Sequence, residues 1–177
     1  MPDVRRARPE EFPAVRAFYH RLIDLSAAGP YPLGWQKDVY PAPEQLRQAL
    51  ERGQLYIGEQ DGKILAAMIL DREGNAGYQG APWRVEATAA QVSVIHALGV
   101  TPACQGQGLG RQMVRAAQKL ALAQGSRALR LDVLSGNLPA ERLYLGMGFY
   151  RVAGARMFYP DTGWTEFDLY EYDLTET

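Results

Sequence analysis

The stretch Gln91–Gln124 constrains this chain more than any other part of it. An apolar, strand-like run, Gln91–Val100, is closed by Thr101-Pro102, because a residue before proline is pushed into extended backbone. Gly106, Gly108 and Gly110 follow within five residues. Leu109, Met113, Ala116, Ala117, Leu120 and Ala121 then recur at helical spacing until Gly125. A strand that turns directly into an amphipathic helix needs a sheet with sheltered faces, so a layered α/β chain is expected. The glycines let successive N–H groups point inward at the helix start, where roughly half a positive charge gathers. That concavity suits a phosphate or pyrophosphate, with Arg111 adding charge.

The glycine pattern alone leaves several readings open. A P-loop needs Lys and Ser or Thr after its last glycine, whereas Arg111-Gln112 stands here. The dinucleotide fingerprint is G-x-G-x-x-G, and this turn reads G-x-G-x-G late in the chain. Glycines that merely cap a helix packed on a sheet, or a nucleotide-binding domain with a similar turn, are the alternatives.

The other segments extend the pattern. Val4–Arg8 reads as a strand, and Phe12, Val15, Phe18, Tyr19, Leu22 and Ile23 as one face of a helix. Glu44–Arg52 is a shorter helix opened by Pro43. Leu55–Glu59 and Lys63–Leu70 are strands about the turn Gln60-Asp61-Gly62. Leu129–Leu134, Phe149–Val152 and Phe167–Leu174 are further strands, with the helix Leu138–Gly146 between the first two. The expected order is β-α-α-β-β-β-α-β-α-β-β, an α/β (α+β) chain with one mixed sheet flanked by helices. Two long loops, Gly29–Pro43 and Arg72–Trp83, mix Pro and Gly with Tyr31, Trp35, Tyr40, Tyr78 and Trp83. Loops of that length commonly serve binding, and these aromatics either line an acceptor pocket or anchor the loops.

Composition narrows the partners. The 177 residues suit a single domain, 1–177. Nineteen basic against twenty acidic residues leave no field for gripping nucleic acid. The N-terminus MPDVRRARPEEF lacks a signal-peptide core, and no apolar run approaches the ~20 residues that cross a bilayer. No membrane partner and a cytoplasmic location are therefore expected. One cysteine, Cys104, and two histidines, His20 and His96, argue against a metal site.

Beyond these readings, Gln105-x-x-Gly108-x-Gly110, after the strand ending Leu98-Gly99-Val100-Thr101-Pro102, resembles the acetyl-CoA-binding motif of the GCN5-related N-acetyltransferase (GNAT) family. The resemblance continues through Leu131-Asp132-Val133, Asn137 and Ala140-x-x-x-Tyr144-x-x-x-Gly148-Phe149. It implies a mostly antiparallel sheet in which two parallel strands, Gln91–Val100 and Leu129–Leu134, splay to admit acetyl-CoA as co-substrate. It further implies that backbone groups of Leu98, Gly99 and Val100 pair with the pantetheine arm, an amide near Leu98 serving the oxyanion. Gln105, Gly106, Gln107, Gly108, Leu109, Gly110 and Arg111 would hold the diphosphate, and Asn137 the arm.

The same resemblance makes Tyr144 the acid that protonates the departing thiolate, a phenol of pKa ~10 being protonated at neutral pH. Packing within an apolar helix face is the plainer role for it. His96, in phase with Val94, Leu98 and Val100 in an apolar strand, is placed like a histidine of the arylalkylamine branch and would deprotonate the amine. A satisfied core histidine is the alternative, and Glu86 or a water the next candidate base. Asn137 also suits a helix cap. Cys104 lacks the His or Asp partner a nucleophile needs. The implied activity is direct acetyl transfer to a primary amine of a small molecule or peptide. A non-catalytic acyl-CoA-binding domain is the alternative, and the strand Phe167–Leu174 either pairs across a homodimer or stays within one chain.

Overall fold

The computed structural model describes residues 2–31 and 33–176. In chain order the elements are β1 (Asp3–Arg6), α1 (Phe12–Ala27), α2 (Pro43–Glu51), β2 (Leu55–Gln60), β3 (Lys63–Asp71), β4 (Val92–Val100), α3 (Leu109–Ala123), β5 (Ala128–Leu134), α4 (Leu138–Leu145), β6 (Tyr150–Tyr159) and β7 (Gly163–Asp173). Local chemistry sets most of these limits. Asp61 and Gly62 both have positive φ, as a tight hairpin between β2 and β3 requires. α3 stops where Gly125 enters the left-handed region, with Ser126 N–H donating back to the Ala121 carbonyl.

The strands form one sheet in the order β1-β2-β3-β4-β5-β7-β6. Every pair is antiparallel except β4 with β5. α3 and α4 cover one face, burying Met113, Val114, Ala117 and Tyr144 against Leu129, Leu131 and Val133. α1 and α2 cover the other with Val15, Phe18, Leu22, Leu46 and Leu50. Tyr78, Trp83 and Val85, in the connection from β3 to β4, extend that second cover over Val92, Val94, Phe167 and Leu169. No helix among the described residues is long and apolar enough to cross a membrane.

Two expectations need correction. The strand expected at Phe149–Val152 runs from Tyr150 to Tyr159. Its middle contains Ala153-Gly154-Ala155, too small to show alternation, and a register shift between Arg151 and Ala153 breaks the period. The terminal strand is longer than Phe167–Leu174, and it pairs with β5 on one side and β6 on the other. Both of its edges are thus used within the chain, the second of the two pairings open to it.

β4 is where the sheet opens. It pairs with β5 only at Val92–Val94, opposite Ala128–Arg130. Beyond that point β4 stays with β3 as far as Val100, and β5 stays with β7 as far as Leu134. The parallel strands therefore part in a wedge, as the resemblance implied. Ala97, at φ 50°, sits in this divergence, and the β3–β4 register shifts beside it.

Candidate functional site

The irregularity at Ala97 changes what β4 presents. Val94 packs beneath the β3–β4 connection, whereas Leu98 and Val100 pack on the α3 face. His96 is therefore in phase with Val94 but not with Leu98 and Val100, contrary to the simple alternation read from sequence. Its Nε2 lies 2.8 Å from Asp71 Oδ1. Burial lowers the His96 pKa, but the bond to Asp71 and nearby carboxylates outweigh this, and the net shift is upward.

A cleft of about 700 Å³ opens along the wedge and the start of α3. Leu98, Gly99, Val100, Gln105, Gly106, Gly108, Gly110, Arg111, Asn137 and Tyr144 line it, with Tyr31 and the end of α1 opposite. Gly106 and Gly108 have φ of 77° and 85°, which a side chain would strain. Their amides have no backbone acceptor among the described residues, and those of Leu109, Gly110 and Arg111 open the helix. These five amides follow one another along the turn beside Arg111, an arrangement suited to an anion, and the wedge lies beyond them. These residues suit a diphosphate and pantetheine. Gln107 donates from its side chain to the Ala103 carbonyl and from its amide to the Cys104 carbonyl, and the Leu109 side chain is buried in the core.

A second, narrower cavity of about 100 Å³ meets the first. Leu33, Leu98, Asn137, Ala140 and Tyr144 line both. Only the smaller cavity also has Trp35, Tyr40, His96, Asp132, Tyr159 and Asp161 in its wall. Tyr144 thus sits at the seam, its ring 5.5 Å from Phe149 and 6.4 Å from Tyr170. Its hydroxyl has no hydrogen-bond partner among the described residues, and burial with nearby Asp132 raises its pKa. Asn137 Oδ1 accepts from the Ala140 amide at 3.3 Å, so it caps α4 while facing both cavities.

Asp132 is the group that sequence reasoning passed over. Its Oδ2 accepts hydroxyl hydrogen bonds from Tyr78 and Tyr159, each at 2.7 Å. No such bond reaches Oδ1 among the described residues, and the carboxyl borders the cavity. Burial raises its pKa, against the two tyrosine bonds and His96, which lower it. A signal was present in β5: Leu129, Leu131 and Val133 fill the α3 face, while Ala128, Arg130, Asp132 and Leu134 share the other. Two charges on a supposedly buried face mark it as something other than core. Asp161, in the β6–β7 turn, and Asp71 carried no such signal.

The loop aromatics divide by role. Trp35 and Tyr40 line the small cavity, with ring centroids 5.8 Å apart, and Tyr40 stands 5.5 Å from Tyr159. Tyr78 braces Asp132. Trp83 is an anchor, donating from Nε1 to the Tyr78 carbonyl and stacking under Arg130. Glu86 is exposed and borders neither cavity. His20 binds Asp38 on the flank of α1.

Comparison with known proteins agrees with this geometry. Residues 16–149 match the family model described as "Acetyltransferase (GNAT) family". The N-alpha-acetyltransferase RimI of Mycobacterium tuberculosis is 31% identical over 126 residues, 71% of each chain. The structure of YncA from Salmonella typhimurium, solved with its cofactor acetyl-CoA, superposes at a TM-score of 0.71 with 17% identity. That match covers 98% of this chain and 94% of the other. The loading GNATL domain of CurA from Lyngbya majuscula gives 0.75 at 16% identity, each chain being covered entirely. The two structural likenesses carry the fold and the family match carries the chemistry: the chain belongs to the GNAT family of N-acetyltransferases.

Proposed function

We propose that the chain moves the acetyl group of acetyl-CoA to a primary amine held in the smaller cavity, by direct attack with both substrates bound. The observation that carries this reading is the shared wall: a nucleotide-sized cleft and an amine-sized cavity meet at Leu98, Asn137 and Tyr144. Holding two reactants in contact there converts an encounter into a local step. Acetyl-CoA, when bound, supplies the activated acyl carbon. The amides of Gly106 and Gly108–Arg111 clasp its diphosphate, and backbone groups of Leu98–Val100 take the arm as an added strand. Cys104 borders the larger cleft with no base beside it, so no acyl-enzyme is invoked.

Proton movements follow from the wall. A cationic amine loses one proton to solvent and attacks as the neutral base. The new C–N bond makes its remaining hydrogens acidic, so a carboxylate suffices to take one. Asp132 Oδ1 is assigned that proton in preference to His96, whose own proton Asp71 holds more firmly than water does. Imidazolium at His96 in turn favours the ionised form of Asp132. As the C–S bond breaks, Tyr144 donates its hydroxyl proton to sulfur, and burial keeps that phenol protonated beforehand.

Tyr144→Phe tests the assignment. The hydroxyl has no partner to strand, so the variant should fold as well as the parent. It should lose about 10²- to 10⁴-fold in kcat with an unchanged Kd for acetyl-CoA. An unaltered kcat, with chemistry limiting, would remove Tyr144 from the reaction.

A further inference from the structure

The lining of the smaller cavity bears on which amine it receives, a question that presupposes acetyl transfer at this site. The described lining contains two carboxylates, Asp132 and Asp161, and neither lysine nor arginine. The one basic side chain, His96, is matched by Asp71. Asp161 Oδ1 is buried without a hydrogen-bond partner among the described residues, and burial raises the pKa of that carboxyl despite nearby backbone amides. A half-buried acid with no counter-charge among the described residues gains when a cation arrives. Tyr40 lines the same cavity, and both carboxylates help raise its pKa. Trp35, Tyr40 and Tyr159 add aromatic surface, which attracts cations. With a volume of about 100 Å³ the cavity takes only a small ligand. The Gln36 side chain, donating to the Asp161 carbonyl at 2.8 Å, ties the α1–α2 loop to the β6–β7 turn beside it.

We infer that the acceptor is a short aliphatic diamine without a carboxylate. One nitrogen reacts beside Asp132 and Tyr144, and the second stays as ammonium against Asp161. A carboxylate on the acceptor would meet Asp161 with no cation to receive it. The C–N bond forms at the first nitrogen and the C–S bond breaks, Asp132 taking the proton from nitrogen and Tyr144 giving one to sulfur; the second nitrogen keeps its charge throughout.

The test compares 1,4-diaminobutane, pentylamine, 5-aminopentanoate and an alanyl peptide as acceptors, following release of CoA thiol. The diamine should exceed the others in kcat/KM by about tenfold or more, the scale of one well-placed charge pair. Asp161→Asn should bring the diamine-to-pentylamine ratio down to about one. A 5-aminopentanoate or peptide rate matching the diamine overturns the inference, as does a ratio that survives Asp161→Asn. In either case the transfer reading stands, because amines are still acetylated. Acetyl-CoA binding by calorimetry with no amine consumed contradicts the transfer reading, and this inference with it.

Discussion

Asp132 and His96 face one cavity with opposite preferences, and their coupling has a measurable sign. Burial holds the Asp132 pKa above the ordinary 3.8, and His96 pulls it back down. Only ionised Asp132 can accept a proton, so kcat/KM should rise with pH through this pKa. His96→Gln removes the positive neighbour and leaves Asp71 uncompensated, and both changes should move that acidic limb to higher pH. Asp132→Asn should abolish the limb while lowering kcat. Stability gives an independent check. Because the folded pKa lies above the unfolded one, the contribution of Asp132 is favourable below pH 3.8 and lost as pH rises through the folded value. Asp132→Asn should therefore leave Tm at neutral pH equal or higher. A marked fall in Tm, or a limb that stays put in His96→Gln, would break the link between these groups.

Among the elements, two glycines that look alike in the sequence do different things. Gly108 lies in the left-handed region, with nothing within 4 Å of where a Cβ would sit. Gly108→Ala should cost about 1–2 kcal/mol through backbone strain, and should raise the Kd for acetyl-CoA by disturbing the amide cradle. Gly99 has ordinary φ, but an added methyl would overlap Leu22 of α1. Gly99→Ala should cost about 1–3 kcal/mol by displacing the buried Leu22 side chain. Denaturant melts and acetyl-CoA titrations of both variants separate strain at the cradle from crowding at the helix. Here the sequence was legible in part. The helix faces and the glycine turn were readable because burial repeats at the helical period and positive φ selects glycine. The direction of His96 was not, since one left-handed residue, Ala97, reversed the phase of β4 with no compositional mark. Nor were the partners of Asp132 readable, because Tyr78 and Tyr159 reach it from segments 54 and 27 residues away.

At the scale of the molecule, the site exists because one sheet keeps antiparallel pairing on both flanks and loses it in the middle. β3 holds β4 and β7 holds β5, so the parallel pair can part without unravelling. The long connection that carries Tyr78 is fastened by Glu171, fully buried in β7. That carboxylate accepts from the Arg84 and Val85 amides at 2.8 and 3.1 Å, from Arg130 at 2.8 Å, and from the Tyr150 hydroxyl. The order of strands and helices could be read along the chain. Which strands part could not be read from periodicity, because pairing is a property of two segments at once. The most direct measurement is a crystal structure with acetyl-CoA soaked in. The diphosphate should lie on the Gly106–Arg111 amides, the arm between β4 and β5, and the acetyl carbon at the junction of Leu98, Asn137 and Tyr144. A coenzyme bound outside that wedge, or one whose acetyl group points away from the Asp132 cavity, would contradict the account.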